Sequence, residues 1–232
     1  MDAVVLAGGF GTRLAHIVSD VPKPMAPVCG KPFLEYVLEY LKNNGIDRVI
    51  LAVGYKEDVI RSYFGSSFSG MNILYSSEDK PLFTGGAIRK ALSLAEEGPV
   101  FILNGDTYFD VDLKAMLVFH LEKNASLTIA AKKMTDFDRY GTIESENGRI
   151  TAFLEKRPTG EGEINGGVYL MDKHLLDSVD REAFSFEKDV METKVGVLPM
   201  YAFASDGYFI DIGIPEDYYR AGKDFTAMGG IS

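Results

Sequence analysis

The chain has 232 residues, 46% hydrophobic and 25% charged, an ordinary balance for a protein that buries a substantial core as one domain. Its net charge of −10 excludes a broad nucleic-acid footprint, which needs a basic face, and its single Cys29 excludes an internal disulfide and suits a reducing cytosol. It opens into a strand carrying Asp2 rather than a secretory leader, and no apolar stretch approaches a membrane span, so the expectation is a cytoplasmic protein with no membrane partner.

The first predicted strand, Val4-Val5-Leu6-Ala7, runs into Gly8-Gly9-Phe10-Gly11-Thr12-Arg13. A strand ending in glycines turns backbone N–H groups outward around a concave surface, because no Cβ blocks a bound anion. Arg13, and then Lys23 held between Pro22 and Pro24, add two cations at the mouth of this loop, which reads as a triphosphate site. The spacing is neither G-x-G-x-x-G nor the Gly-Lys-Ser/Thr of a P-loop. An incidental tight turn is the plainer alternative. Cys29 has no histidine nearby in sequence and reads as a packed or loop thiol.

Pro32 opens a helix pattern over 33–41 that closes at Asn43-Asn44-Gly45 with Ile46 beyond, a glycine cap with its hydrophobic follower. The continuous apolar run over 49–53 predicts a strand buried on both faces. A short helix over 57–64, a strand over 72–75, a helix over 86–95 and a buried strand over 100–103 follow. Strands alternating with helices predict parallel βαβ units in a doubly wound sheet. Asp112 precedes Leu113, Met116, Leu117 and Leu121, an apolar helical stripe, and reads as its N-cap.

In the second half, two alternating runs over 140–155 flank Asn147-Gly148, a strong hairpin signal. Strands are expected over 166–170, 200–204 and 208–212, and a helix from Pro215 through Tyr219. Ligands of open α/β sheets sit outside the carboxyl ends of the strands, where Gly8 to Arg13 and Asp106 both fall. Asp211 lies among apolar residues, which is costly without a cation or hydrogen bonds. His16, His120 and His174 show no ligand spacing and read as structural or exposed.

The run Leu6-Ala7-Gly8-Gly9-x-Gly11-Thr12-Arg13-Leu14, with Pro22-Lys23-Pro24-Met25-x-Pro27-Val28 and Lys31-Pro32, resembles the signature of sugar-1-phosphate nucleotidyltransferases. The similarity continues in order through Thr84-Gly85-Gly86-Ala87, Asn104-Gly105-Asp106, Phe153-Leu154-Glu155-Lys156, Asn165-Gly166-Gly167 and Asp211-Ile212-Gly213. It implies an α/β, Rossmann-like three-layer fold of the GT-A-like kind with a mixed central sheet. Residues 1–232 would form one domain, 1–112 mainly binding nucleotide and 113–232 mainly binding sugar phosphate. It also implies a nucleoside triphosphate and a sugar 1-phosphate as small-molecule partners, in a monomer or homodimer.

The resemblance assigns roles residue by residue. Asp106 and Asp211 would hold Mg2+, which usually takes one or two carboxylates and completes its shell with phosphate oxygens and water. The plainer alternative for each is a cap or turn aspartate. Lys23 would lie along the α-phosphate, and Arg13 would neutralise the departing pyrophosphate. The nucleotide would meet Leu6, Ala7, Gly8, Gly9, Gly11, Thr12, Gly85, Gly86 and Asp106. The sugar phosphate would meet Asn104, Tyr140, Gly141, Glu155, Lys156, Asn165, Gly166 and Glu187. Glu78 occupies the region that reads the base edge, and its carboxylate matches the two donors of guanine, although a solvated acidic loop explains it equally. Residues 18–27, 136–142, 184–187 and 206–219 are most similar to members that use GTP. Neither spacing nor composition separates a heptose from a hexose acceptor.

Two departures from the family pattern stand out. Relatives usually carry alanine at the position of Gly166, and glycine at the position of Phe83. Two other classes compete. A glycosyltransferase of related fold would use Asp110-Val111-Asp112 for a metal and would not need Arg13 or the Pro-Lys segment. A non-catalytic sensor would lose phosphate or metal residues, all of which are present here.

Overall fold

The structure, a computed structural model, describes residues 1–9, 14, 18, 20–154 and 158–228. Strand β1 (Asp2–Leu6) leads to a single 3-10 turn, Lys23–Met25, and a small hairpin of β2 (Pro27–Val28) and β3 (Lys31–Pro32). Then come α1 (Phe33–Asn43), β4 (Arg48–Val53), α2 (Glu57–Phe64), β5 (Ser67–Phe68), β6 (Met71–Ser77), α3 (Phe83–Leu92) and β7 (Pro99–Asn104). The second half holds β8 (Thr107–Phe109), α4 (Leu113–Glu122), β9 (Leu127–Phe137), β10 (Thr142–Glu146), β11 (Arg149–Leu154) and β12 (Thr159–Asp172). A π-helical turn, Glu187–Met191, runs into α5 (Glu192–Lys194), followed by β13 (Met200–Ser205), β14 (Phe209–Asp211) and α6 (Pro215–Ala227).

Ten strands form one mixed sheet in the order β10-β11-β13-β9-β12-β7-β1-β4-β6-β5. Strands β7, β1, β4 and β6 are mutually parallel, and β12 joins the two halves by pairing antiparallel to β7. Successive side chains of these strands serve opposite faces. Ala3 and Val5 of β1 pack with Leu34, Val37, Leu38 and Leu41 of α1, whereas Val4 packs with Ala87, Ile88 and Ala91 of α3. A second core on the reverse side of the sheet makes the architecture three layers deep.

From β1 the chain winds through α1 to β4 and through α2 to β6, then returns by α3 to β7 on the far side of β1. The winding reverses between β1 and β7, so the connections leaving their carboxyl ends diverge and open a crevice. Leu6 and Asn104 are register partners at its floor.

Local signals behave as the residues dictate. Gly45 has φ +82°, and the Ile46 N–H reaches the Leu41 carbonyl at 3.0 Å, closing α1 in a Schellman motif. Asn147 and Gly148 have φ +52° and +80°, the pair a two-residue type I′ hairpin turn requires. The Asp112 carboxylate accepts the Ala115 N–H at 2.9 Å, so it is the α4 cap. The helix expected over 86–95 instead spans Phe83–Leu92. Its first turn holds Gly85 and Gly86 because the 182–184 segment crosses there: a Cβ at Gly85 would stand 2.3 Å from the Phe184 ring, and one at Gly86 2.4 Å from the Glu182 carbonyl. Strand β9 was not among the expected strands, and β12 is far longer than the 166–170 run. Among the described residues no helix is long and apolar enough to cross a membrane.

Candidate active site

Lys23 sits in the 3-10 turn that Pro22, with φ −65°, introduces and Pro24 stiffens. Its ammonium lies 2.5 Å from Asp106 Oδ2 and 3.6 Å from Asp211 Oδ1, with the lysine side chain only 10% exposed. The two acids meet because β8 and β14 form an antiparallel ribbon apart from the main sheet. Asp211 is the register partner of Thr107, and the Ile212 N–H donates to the Asp106 carbonyl at 3.0 Å. Asp211 Oδ1 also accepts the Gly213 N–H at 2.7 Å.

Two partly buried carboxylates against one ammonium leave net negative charge and a donor set of oxygens alone. That fits a hard cation such as Mg2+. Among the described residues no group of three or more His, Cys, Asp or Glu side chains gathers as a closed metal cage, so substrate oxygens and water would supply the other positions.

On one side of this cluster opens a cleft of about 600 Å³ bounded by Leu6, Gly8, Gly9, Glu78, Phe83 and Asp106. The Glu78 carboxylate accepts the Leu82 N–H at 3.0 Å through Oε2, while Oε1 lies beside Gly8, 3.5 Å from where a Cβ would stand. Burial raises the Glu78 pKa above the ordinary carboxylate value, with the Leu82 hydrogen bond and the Lys90 charge acting the other way. Phe83 is 66% exposed on this cleft with φ +56°.

On the other side lies a cleft of about 500 Å³, whose lining includes Tyr140, Gly141, Asn165, Gly166, Phe209 and Asp211. The two clefts share Asn104 and Glu187. Glu187 Oε2 accepts the hydroxyls of Thr84 at 2.6 Å and Ser185 at 2.9 Å, tying the π-helical turn to the start of α3. Asn165 donates to the Tyr169 hydroxyl at 2.9 Å and accepts the Gly167 N–H at 3.0 Å. Burial, and then the Asp211 charge, push the Tyr140 hydroxyl up to about 12, which keeps it a neutral donor. Arg139 pairs with Asp217 of α6 at 2.7 Å and anchors the loop that carries Tyr140 and Gly141.

Gly166 is explained by its neighbour. A Cβ there would stand 2.3 Å from the Phe109 ring, so this phenylalanine occupies the room an alanine methyl would need.

Most of the expected site residues therefore line one of two joined clefts, but three do not. Ala7 is fully buried, its N–H spent on the Ala52 carbonyl at 2.8 Å. Gly85 and Gly86 are buried, with both N–H groups directed to the Phe184 carbonyl rather than to a ligand. Gly11, Thr12, Arg13, Glu155, Lys156 and His16 lie outside the described residues. His120 is buried against the Thr128 hydroxyl at 2.8 Å, and His174 is exposed beside Asp177 and Glu97, neither of them near the clefts. Cys29 is an exposed turn thiol with φ +49°. Thr84 and Ser185 were missed, and so was Tyr55, which lines the larger cleft. Tyr55 stands at the carboxyl end of a buried strand, and Thr84 and Ser185 fall within the matched segments 84–87 and 184–187 without having been given a role.

A family model described as nucleotidyl transferase matches residues 2–227. The D-glycero-alpha-D-manno-heptose 1-phosphate guanylyltransferase of Aneurinibacillus thermoaerophilus is 49% identical over 225 residues, covering 97% of this chain and 98% of that protein. The protein of the same name from Campylobacter jejuni is 48% identical over 222 residues, covering 95% of this chain and 98% of that one. The crystal structure of HddC from Yersinia pseudotuberculosis complexed with GMP-PN superposes with a TM-score of 0.86 at 37% identity, covering 97% of this chain and 99% of that one.

Proposed function

The chain belongs to the nucleotidyl transferase family, and from that membership we propose that it transfers the guanylyl group of GTP to D-glycero-α-D-manno-heptose 1-phosphate, giving the GDP-activated heptose and pyrophosphate. The observation that carries a two-substrate reading is the seam: two clefts meet at Asn104 and Glu187, beside Lys23 and the two carboxylates. The near full-length similarity to two heptose 1-phosphate guanylyltransferases supports this donor and this acceptor.

A phosphate monoester has its second pKa near 6, so at neutral pH the attacking oxygen is already an anion and no general base is needed. That oxygen forms a bond to the α-phosphorus, and the bond from that phosphorus to the bridging oxygen of the β-phosphate breaks. Catalysis then consists of alignment and charge neutralisation. In this reading residues 1–112 supply most of the nucleotide cleft and 113–232 most of the sugar-phosphate cleft. Lys23 faces the α-phosphate, Glu78 accepts from the guanine edge, and Asn104, Tyr140, Asn165 and Glu187 orient the sugar. Arg13 takes the departing pyrophosphate, Lys156 the sugar's phosphate and Glu155 its hydroxyls. Asp106 and Asp211 would hold Mg2+, which when bound offsets the charge of the triphosphate.

Pyrophosphate release, measured for GTP, ATP, CTP, UTP and dTTP crossed with heptose, mannose and glucose 1-phosphates, tests the reading. The highest kcat/KM is expected for GTP with the heptose phosphate. A preference for UTP, or for mannose 1-phosphate with GTP, would reassign the base or the sugar.

A further inference from the structure

Phe83 combines two costs that ordinary packing does not repay. It is the first residue of α3 with φ +56°, a left-handed conformation that disfavours any residue with a Cβ. The residue is also 66% exposed, and among the described residues its ring stacks on no other ring and faces no cation. The backbone around it is fixed. Leu82 donates to Glu78 and accepts the Phe184 N–H at 3.1 Å, and the Gly85 N–H returns to the Phe184 carbonyl at 2.9 Å. Clamped on both sides, the backbone presents the ring to the same cleft that Glu78 and Gly8 border, and Tyr55, 39% exposed, also lines that cleft.

We propose that Phe83 is a nucleobase platform: its ring stacks on the face of the purine while the cleft wall reads the edge. The proposal rests on reading this cleft as the nucleotide site. Stacking uses the π-face that every base offers, so the ring contributes affinity rather than a choice among purines. Purines, with the larger face, gain more than pyrimidines. The bound base then covers a ring that otherwise stands in water.

The test compares Phe83→Gly, Phe83→Leu and Phe83→Trp with the parent protein, measuring triphosphate affinity by calorimetry, KM for each substrate and the thermal midpoint without ligand. Phe83→Gly removes the ring and suits φ +56°, so its thermal midpoint is expected to hold or rise while GTP binding weakens on the order of tenfold. Phe83→Leu keeps an apolar side chain and loses several-fold, whereas Phe83→Trp matches or exceeds the parent. The KM for sugar phosphate stays within twofold. Inorganic tripolyphosphate has no base, so its inhibition constant should be the same in all four proteins. Phe83→Gly and Phe83→Leu binding GTP as tightly as the parent would overturn the proposal, as would an equal loss for tripolyphosphate. If the parent prefers another triphosphate, the guanine reading fails, and the same comparison made with that triphosphate still decides the role of the ring.

Discussion

At the scale of single residues, the decisive arrangement is one ammonium shared by two acids. Asp106 lines one cleft and Asp211 the other, and both are held by backbone contacts of the ribbon rather than by surface chance. Asp106→Ala and Asp211→Ala are each expected to lower turnover by roughly two to three orders, as for a lost electrostatic stabiliser, in steady-state assays at saturating Mg2+. Near-parent kinetics in either variant would remove that residue from the site. Glu78 offers a subtler test. In Glu78→Gln the amide oxygen can keep the Leu82 N–H, which leaves the NH2 group beside Gly8, where on the guanine reading it would face the base's own donors. GTP should lose roughly 1–3 kcal/mol in kcat/KM and UTP less, narrowing the discrimination between them. An unchanged ratio would mean that guanine is read elsewhere.

At the scale of elements, Asp112 separates a cap from a metal motif. Its carboxylate is committed to the Ala115 N–H, so Asp112→Ala is expected to cost about 1 kcal/mol of unfolding free energy in urea titrations and leave kcat unchanged. A collapse of activity without loss of stability would place Asp112 in the working site rather than at a helix cap. Element signals were legible where one residue type answers one local need: Gly45 at a helix end, Asn147-Gly148 in a hairpin. They failed where distant contacts decide. Thr84-Gly85-Gly86 argues against a helix on propensity, yet the close crossing of residues 182–184 makes those glycines the only fit in the first turn of α3. Strand β9 begins buried on both faces, turns largely exposed and closes on the buried Phe137, so no single alternation marks it. The π-helical turn at Glu187 carries no local pattern at all.

At the scale of the whole molecule, the parallel half was readable because strands buried on both faces write themselves as apolar runs. The joining of the halves was not. It depends on β12 lying against β7, and on β14, which falls within the strand expected over 208–212, pairing with a three-residue β8 too short to leave a signature. The fold also carries a pH dependence remote from the clefts. Burial holds the His120 imidazole below its usual pKa, with the Asp172 charge pulling the other way. As pH falls, the unfolded chain therefore takes this proton first. The stabilisation is fully present above the ordinary value of about 6.5 and is lost as pH drops from there toward the lowered native value. Urea unfolding at pH 8, 6 and 5 should show the parent losing stability across that interval and His120→Gln losing less. Parallel curves would assign the dependence to other groups.

The β8–β14 ribbon also gives the site a place in time. A chain made from its amino terminus presents the glycine loop first, Lys23 next, and Asp106 some 83 residues after the lysine, while the second acid arrives only with β14 near the end. Until then the lysine and the first acid can meet, but the ribbon that supplies their third member does not exist. A nascent chain halted before residue 209 thus lacks the second carboxylate of the Lys23 cluster, whatever part of the sheet it has built.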